Sequence, residues 1–518
     1  MNLKNNFNKV KYYFRRYGII KTLKKVLKRV LHIKENRKSN LEQYKIWIEK
    51  NEPKNGELEY QRNFKFDYKP KISVVVPMYN TDETFFKELV ESLEKQTYSN
   101  WELVLTDGST QKNENLKQYY SSNEKIKYKF LNSNKGISEN TNEAIKFATG
   151  DFIGFLDHDD LLSPDCLFEV ARCINKNKNV DFIYSDEDKI DENGERFEPY
   201  FKPDFSPETL ECNNYITHFV VAKKELIKKV GLLNSKFNGA QDFDFVLRAT
   251  EKASKVVHIS KILYHWRVNK NSTANVADAK PYAYEAGIKV IEEHLKRTNK
   301  KGSVEYGQDV PGIYKVKFDI KGNQKVSIII PNKDNVELLK GCIDSILNLT
   351  TYRNYEIIIV ENNSEKQETF NYYEEIKKND KIKILNYDES KIYDKVNKEF
   401  NYSSLINFGV QNSAGDYILQ LNNDTKLLTK DWLESFIGYA QNKEIGAIGA
   451  RLYYEDKTIQ HAGIIVGLSG IAGNTLVNLP YGEHAYFGRE AATRNVSAVT
   501  GACLFCRREL YEEVRIYG

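Results

Sequence analysis

KISVVVPMYN, residues 71–80, is matched 254 positions on by KVSIIIPNKD, residues 325–334: each is a β-branched run, a proline and a polar loop. Each opening leads to an acid-bearing turn, LDHDD from Leu156 and LNNDT from Leu421. At the separation of 254, Val74–Pro77 falls on Ile328–Pro331, Trp101 and Glu102 on Tyr355 and Glu356, and Asp107 on Glu361. At 265, Asn142 meets Asn407, Gly150 and Asp151 meet Gly415 and Asp416, and Asp159 meets Asp424. At 284, Lys223–Leu226 meets Arg507–Leu510. A repeat this long is a duplicated domain and not a solenoid unit.

Within the first copy, Ile72–Val76 reads as a buried strand, Phe85–Glu94 as a helix with one apolar face and Glu102–Leu105 as a second strand. Asn140–Ala148 follows as a helix closed by Gly150, and Asp151–Leu156 as a third strand. Such alternation builds a mostly parallel, Rossmann-like sheet with helices on its faces, and ligands bind beyond the carboxyl ends of its strands. The expected fold class is α/β in two tandem domains, since 518 residues exceed one ordinary core. The expected division is a basic amphipathic segment and linker at 1–68, a first domain at 69–275, a helical connector at 276–323 and a second domain at 324–518.

The charge is uneven. Residues 1–40 hold 13 Lys or Arg against the single acid Glu35, a net +12 in a chain of net +5, so the remainder carries −7. Ile20, Leu23, Val26, Leu27, Val30 and Leu31 recur at helical spacing with Lys21, Lys24, Lys25, Lys28 and Arg29 between them. This is the pattern of a helix lying on an anionic membrane surface, favoured here over one docked on its own domain with a solvated basic face. Nucleic acid is set aside, because the tail lacks the glycine and aromatic interleaving of a single-strand platform. No apolar run reaches the roughly 18 residues of a membrane span, and none follows the start as in a signal peptide. The six cysteines lack disulfide-like spacing, so reduced thiols and a cytoplasmic protein are expected, peripheral on the inner face of the membrane. Cys503 and Cys506 have metal-like spacing, but alternation along a buried strand accounts for the run ACLFC.

The polar residues after the predicted strands carry the chemistry. Asp157 and Asp159, one residue apart on a turn, can aim oxygen ligands at one hard cation, and such a cation can hold a diphosphate. Acidic turns are also common as merely solvated features. Asp242 and Asp244 open a helix whose next residues are Phe245, Val246 and Leu247, and acids favour helix starts whatever their use. In FIYSDEDKIDENGE, from Phe182, the acids have the wrong register for a calcium loop, and a strand followed by an Asn193-Gly194 turn is the better account.

VVVPMYN, WELVLTDGS, GDFIGFLDHDD, FIYSDEDKID, QDFDFVLR and YHWR occur in this order over residues 71–267. The series resembles bacterial glycosyltransferase family 2, with the GT-A fold, and particularly the tandem enzymes of O-antigen and capsule assembly. The resemblance implies an inverting hexosyl- or deoxyhexosyltransferase using a nucleotide-diphosphate sugar donor, a glycan or lipid-linked glycan acceptor, and a divalent cation, Mg or Mn. Position by position it implies that Pro77 and Tyr79 cover the nucleotide and that Asp107 holds its base or ribose. Asp157 and Asp159 are the metal pair, with Asp159 favoured as the direct ligand. Asp242 is the catalytic base, and His265 completes the metal sphere or serves as a structural histidine. Asp186 and Asp188 flank the sugar pocket. Gln241 stands where many relatives have Glu, which keeps open a non-catalytic sugar- or nucleotide-binding scaffold. In the second copy Glu361 and Asp424 are the corresponding candidates. Its base and histidine are expected near residues 526 and 549, past Gly518, so the reading there is of a truncated domain.

Overall fold

The computed structural model describes residues 40–121, 123–268, 281–307, 310–387, 401–468 and 470–514. The amphipathic tail expected over residues 1–40 lies, but for residue 40, outside them. The chain divides into two compact units, Met1–Thr298 and Asn299–Gly518.

In the first unit, β1 (Ile72–Met78), β2 (Trp101–Asp107), β3 (Ile126–Phe130) and β4 (Phe152–Phe155) run parallel. The sheet continues through β5 (Leu161–Leu162), β6 (Phe182–Ile190), β8 (Val220–Lys223) and β9 (Val256–Arg267) in the order β3-β2-β1-β4-β8-β6-β9-β5, with β7 (Arg196–Tyr200) paired to β6. Strand β8 is antiparallel to both neighbours, while β9 returns parallel to β6. Strands β1 and β2 are apolar on both faces because both faces are covered. Phe86, Leu89 and Leu93 of the helix Glu83–Glu94 and Leu167, Val170 and Ala171 of the helix Cys166–Lys176 share one core with Val74, Val76, Leu103 and Leu105. The helix Ile137–Phe147 packs against β1 and β2 with Ala144 and Ile145 buried.

Strand β3 was missing from the sequence reading, so the acid turn follows the fourth strand and not the third. Its IKYKF pattern alternates Lys127 and Lys129 with apolar residues. That is the signature of a charged edge strand, which β3 is. The Asn193-Gly194 turn is present as expected. Gly194 takes a left-handed φ of +77°, and the Asp191 carboxylate accepts the N–H groups of Asn193 and Glu195 at 2.9 and 2.8 Å.

In the second unit β10 (Gly302–Tyr306) and β11 (Tyr314–Phe318) form an antiparallel hairpin. The stretch expected as a helical connector at 276–323 is therefore divided: the helix Pro281–Arg297 belongs to the first unit and the hairpin to the second. The main sheet comprises β12 (Val326–Asn332), β13 (Tyr355–Glu361), β14 (Ile382–Asn386), β15 (Tyr417–Leu421), β16 (Ile448–Gly449) and β21 (Cys503–Arg507), in the order β14-β13-β12-β15-β21-β16. Between β16 and β21 lie two small hairpins, β17 (Leu452–Tyr453) with β18 (Ile459–His461) and β19 (Ile464–Val466) with β20 (Ala472–Asn474).

The pairing registers reproduce the sequence separations. Ile72 faces Trp101 as Val326 faces Tyr355, both displaced by 254. Phe152 opposite Ile72 becomes Tyr417 opposite Val326, a displacement of 265 on the partner strand. Phe152 opposite Lys223 becomes Tyr417 opposite Arg507, giving the 284. Among the described residues no helix is long and apolar enough to cross a membrane.

Candidate functional site

Because β1, β2 and β4 are parallel and adjacent, the loops that follow them open on one edge of the sheet. Asn80, at a left-handed φ of 48°, donates its N–H to Ser109 Oγ at 2.7 Å, and Gly108 N–H reaches Met78 O at 3.0 Å. These bonds tie the first loop to the second. Asp107 is buried at the floor, where its carboxylate accepts Ser109 N–H at 2.9 Å and the Tyr128 hydroxyl at 2.7 Å. Pro77 is half-buried, and Tyr79 is 43% exposed at the rim.

The third loop divides its acids by role. Asp160 is buried, accepts Arg267 N–H at 2.7 Å and takes the Tyr264 hydroxyl in a short bond. Arg267 is itself buried, donates Nε to Asp159 O at 2.7 Å, and lies over the Phe85 ring at 4.6 Å. The YHWR segment thus clamps the LDHDD turn, leaving Asp157 and Asp159 half-buried. Burial and then the charge of Asp157 raise the pKa of Asp159, with His158 opposing. Burial, Asp157 and Asp159 together push Asp160 well up. Burial first and the neighbouring carboxylates after it disfavour the charged forms of Asp159 and Asp160, a cost that a bound cation would relieve.

His265 lies opposite Leu161 across the β5–β9 pairing, two residues past Asp159 in the facing chain. Its Nδ1 sits 2.5 Å from Asp188 Oδ1. A carboxylate only accepts, so Nδ1 carries the proton of this contact, the orientation in which the other ring nitrogen, Nε2, is the one left for a metal. Among the described residues no three His, Cys, Asp or Glu side chains converge as a metal cage. The donor chemistry fits a hard cation held by Asp157 and Asp159, with phosphate oxygens filling much of the remaining sphere. Asp186 and Asp188, expected to flank the sugar pocket, are held by protein partners. Asp186 is buried, accepting Lys202 N–H at 2.7 Å and facing His258 Nε2 at 2.9 Å. Asp188 is 0% exposed and takes donors from Tyr44, Arg196 and His265. Both carboxylates are engaged within the protein.

Asp242 and Asp244 begin the helix Gln241–Lys252 and face apart. Asp244 is 1% exposed and pairs with Arg248, whose Nε and terminal NH2 reach it at 2.9 and 2.8 Å. Asp242 is exposed and receives Asn214 Nδ2 at 3.0 Å. The bulk around its carboxylate is the first cause of a raised pKa; repulsion from Asp157 adds to it, and His218 opposes. Gln241 accepts Gly239 N–H at 2.7 Å and so steadies the loop entering the helix.

Sequence reasoning missed His218. Its Nδ1 lies 3.1 Å from buried Glu187, and its ring stacks on Tyr264 at 4.5 Å. Burial opposes its charge, yet Glu187, Asp157 and Asp160 outweigh that and hold its pKa up at about 9. Lys202, Thr217 and His218 N–H all converge on Glu187 Oε2. The signal available was the polar and aromatic run NNYITH just before the apolar strand β8. In the second unit Glu361 is buried, accepting from Ser364 and, at 2.6 Å, from the Tyr373 hydroxyl, much as Asp107 does; Asp424 is exposed in the loop after β15.

The sequence profile of Glycosyl transferase family 2 matches residues 73–231 and 327–515, one match in each repeat. An uncharacterized protein of Sinorhizobium fredii is 40% identical over 452 residues, covering 86% of this chain and 49% of its own length. The O-antigen biosynthesis protein RfbC of Myxococcus xanthus is 35% identical over 479 residues, covering 92% of this chain and 37% of its own. The chain therefore spans half or less of these relatives. Among solved structures, S. aureus TarS 1–349 in complex with UDP-GlcNAc matches with a TM-score of 0.37 at 24% identity, over 43% of this chain and 66% of that one.

Proposed function

Since this chain belongs to glycosyltransferase family 2, we propose that its first unit moves a sugar from a nucleotide-diphosphate sugar to a growing cell-surface glycan of O-antigen or capsule type, with inversion at the anomeric carbon. The observation that supports this reading best is an exposed carboxylate, Asp242, held by Asn214 at the start of the helix Gln241–Lys252, beside a sheet whose loops after β1, β2 and β4 bring Asp107, Asp157 and Asp159 to one edge. Asp242 accepts the proton of the acceptor hydroxyl as its oxygen attacks, and its raised pKa suits a base better than that of a freely solvated aspartate. Asn214 steers the carboxylate through its amide. Asp107, with Pro77 and Tyr79 above it, lines the nucleotide position. A divalent cation, Mg or Mn, held by Asp157, Asp159 and His265 neutralises charge on the departing diphosphate when bound. His218, kept protonated by Glu187, adds positive charge beside Asp157. Glu361 and Asp424 are the nucleotide-side groups of the second unit in the same reading. Residues 1–40 supply the contact with the anionic inner face of the cytoplasmic membrane.

A panel of UDP, GDP and dTDP sugars, assayed for nucleotide release and transfer with Mn2+, tests the proposal against Asp159→Ala. Loss of turnover in the variant is expected. Equal turnover by both proteins removes the acidic turn from the reaction, and no turnover by either favours the sugar-binding scaffold.

A further inference from the structure

We propose that Tyr44, which precedes the first sheet by almost thirty residues, is a positioning residue for the site, acting through Asp188 on the imidazole of His265. The inference rests on the metal reading given under Proposed function. Tyr44 lies on the helix of residues 40–51 and is itself buried. Its hydroxyl donates to Asp188 Oδ2 at 2.5 Å, beside Arg196 Nε at 2.6 Å, while the other carboxylate oxygen faces His265 Nδ1 at 2.5 Å. Arg196 is held in turn from the same segment: its NH1 meets Glu52 Oε2 at 2.8 Å, and its NH2 lies 3.2 Å from the Tyr44 hydroxyl. Trp47 adds an edge-on contact to Phe201 at 5.0 Å and stacks with Tyr44 at 5.9 Å.

The chemistry follows from the donor count. Asp188 is sealed from solvent, so its oxygens depend wholly on protein donors for orientation. With Tyr44 and Arg196 both on Oδ2, the carboxylate plane is set and Oδ1 is aimed at Nδ1. The imidazole is then held in direction through Nδ1, and on the metal reading Nε2 would be the nitrogen offered to the cation. Deleting the Tyr44 hydroxyl leaves Oδ2 one donor short, and the carboxylate turns to recover it, taking the ring with it. The segment ahead of the first sheet thereby belongs to the site, a role that neither the repeat nor the motif series assigns.

Titration calorimetry of the full chain with Mn2+ at saturating UDP tests this. Tyr44→Phe is expected to weaken Mn2+ binding by about tenfold, the scale of a lost partner to a metal-bound histidine. UDP binding in EDTA is expected to stay within about twofold, and the Mn2+ stoichiometry to stay unchanged. A purely structural role would instead lower stoichiometry with the folded fraction and leave the affinity of the folded molecules alone. Should Tyr44→Phe not fold, Glu52→Gln loosens Arg196 from the half-buried rim and carries the same test, with a loss of about threefold or more expected. Wild-type Mn2+ affinity in the folded variant, beside a binding defect in Asp159→Ala, overturns this inference alone. Unimpaired Mn2+ binding by Asp159→Ala overturns the metal reading, and this inference with it.

Discussion

Two acids separated by one residue, Asp242 and Asp244, have opposite fates because two helical steps turn the side chain by roughly 200°. One is exposed and the other buried. As helix-start acids the two are equivalent, and only the family resemblance singles out Asp242. Only the packing of Phe243, Phe245 and Val246 decides which is turned inward. The substitutions should separate cleanly. Asp242→Asn is expected to lower kcat by about 10²–10⁴-fold with the melting temperature unchanged. Asp244→Asn leaves half-buried Arg248 without its carboxylate and is expected to cost about 3 kcal/mol of stability, with kcat of the folded enzyme near wild type. Thermal melts and steady-state kinetics on both variants check this, and a swap of the two effects would assign the base to Asp244. His218 was illegible for a different reason. Its partner Glu187 lies 31 residues away on another strand, a proximity that only the pairing of β6 with β8 creates.

At the level of elements, what the sequence pattern carried best was the parallel core. Buried central strands are continuous apolar runs, so β1, β2 and their copies β12 and β13 could be read directly; β3, half charged at the edge, could not. The strands are held in register by a feature that also repeats. Glu102 accepts Ser73 Oγ and Thr149 N–H, both at 2.6 Å, with Lys71 and Lys127 alongside. Glu356 accepts Ser327 Oγ and Ala414 N–H, both at 2.7 Å, with Lys383 at 2.9 Å. Gly150 and Gly415 are required beside these networks, because a Cβ on either would fall 2.5 Å from the serine Oγ. For Glu356 burial opposes the charge, but these donors prevail and bring its pKa from 4.5 to about 2. A pKa depressed in the folded state means that the contribution is complete above about pH 4.5 and disappears as pH falls toward 2. Denaturant melts between pH 6 and about 2.5 should show the second unit losing stability across that window, and Glu356→Gln should flatten the slope while lowering stability at pH 7 by about 1–3 kcal/mol. An unchanged slope would mean that the network does not hold the carboxylate charged.

On the scale of the whole chain, the duplication was fully legible, since the three separations counted along the sequence are the registers of three strand pairings. The reading of residues 40–66 was not. Their sequence pattern announces only a segment and linker, whereas Gln61 accepts Thr97 Oγ1 at 2.8 Å and Phe64 and Phe66 pack edge-on or tilted against Phe168. Such contacts have no periodicity to announce them. The thiols illustrate the converse, a chain-wide property that composition did predict. All six cysteines are buried. Cys503 packs into the core with Ile328 and Phe436, while Cys506 packs with Ile329 and Val410 in a separate cluster, so the CLFC pair cannot share a metal. Burial is the first cause that raises Cys173, Cys342 and Cys506 to about 11 and Cys503 to about 12, and the reactive thiolate is correspondingly scarce. Ellman's reagent at pH 8 should therefore find almost no reactive thiol in the native protein and all six after denaturation. A zinc indicator added at the same step should register no metal release. Rapid reaction of two thiols in the native state, or zinc freed on unfolding, would show that the strand β21 does not keep Cys503 and Cys506 on opposite faces.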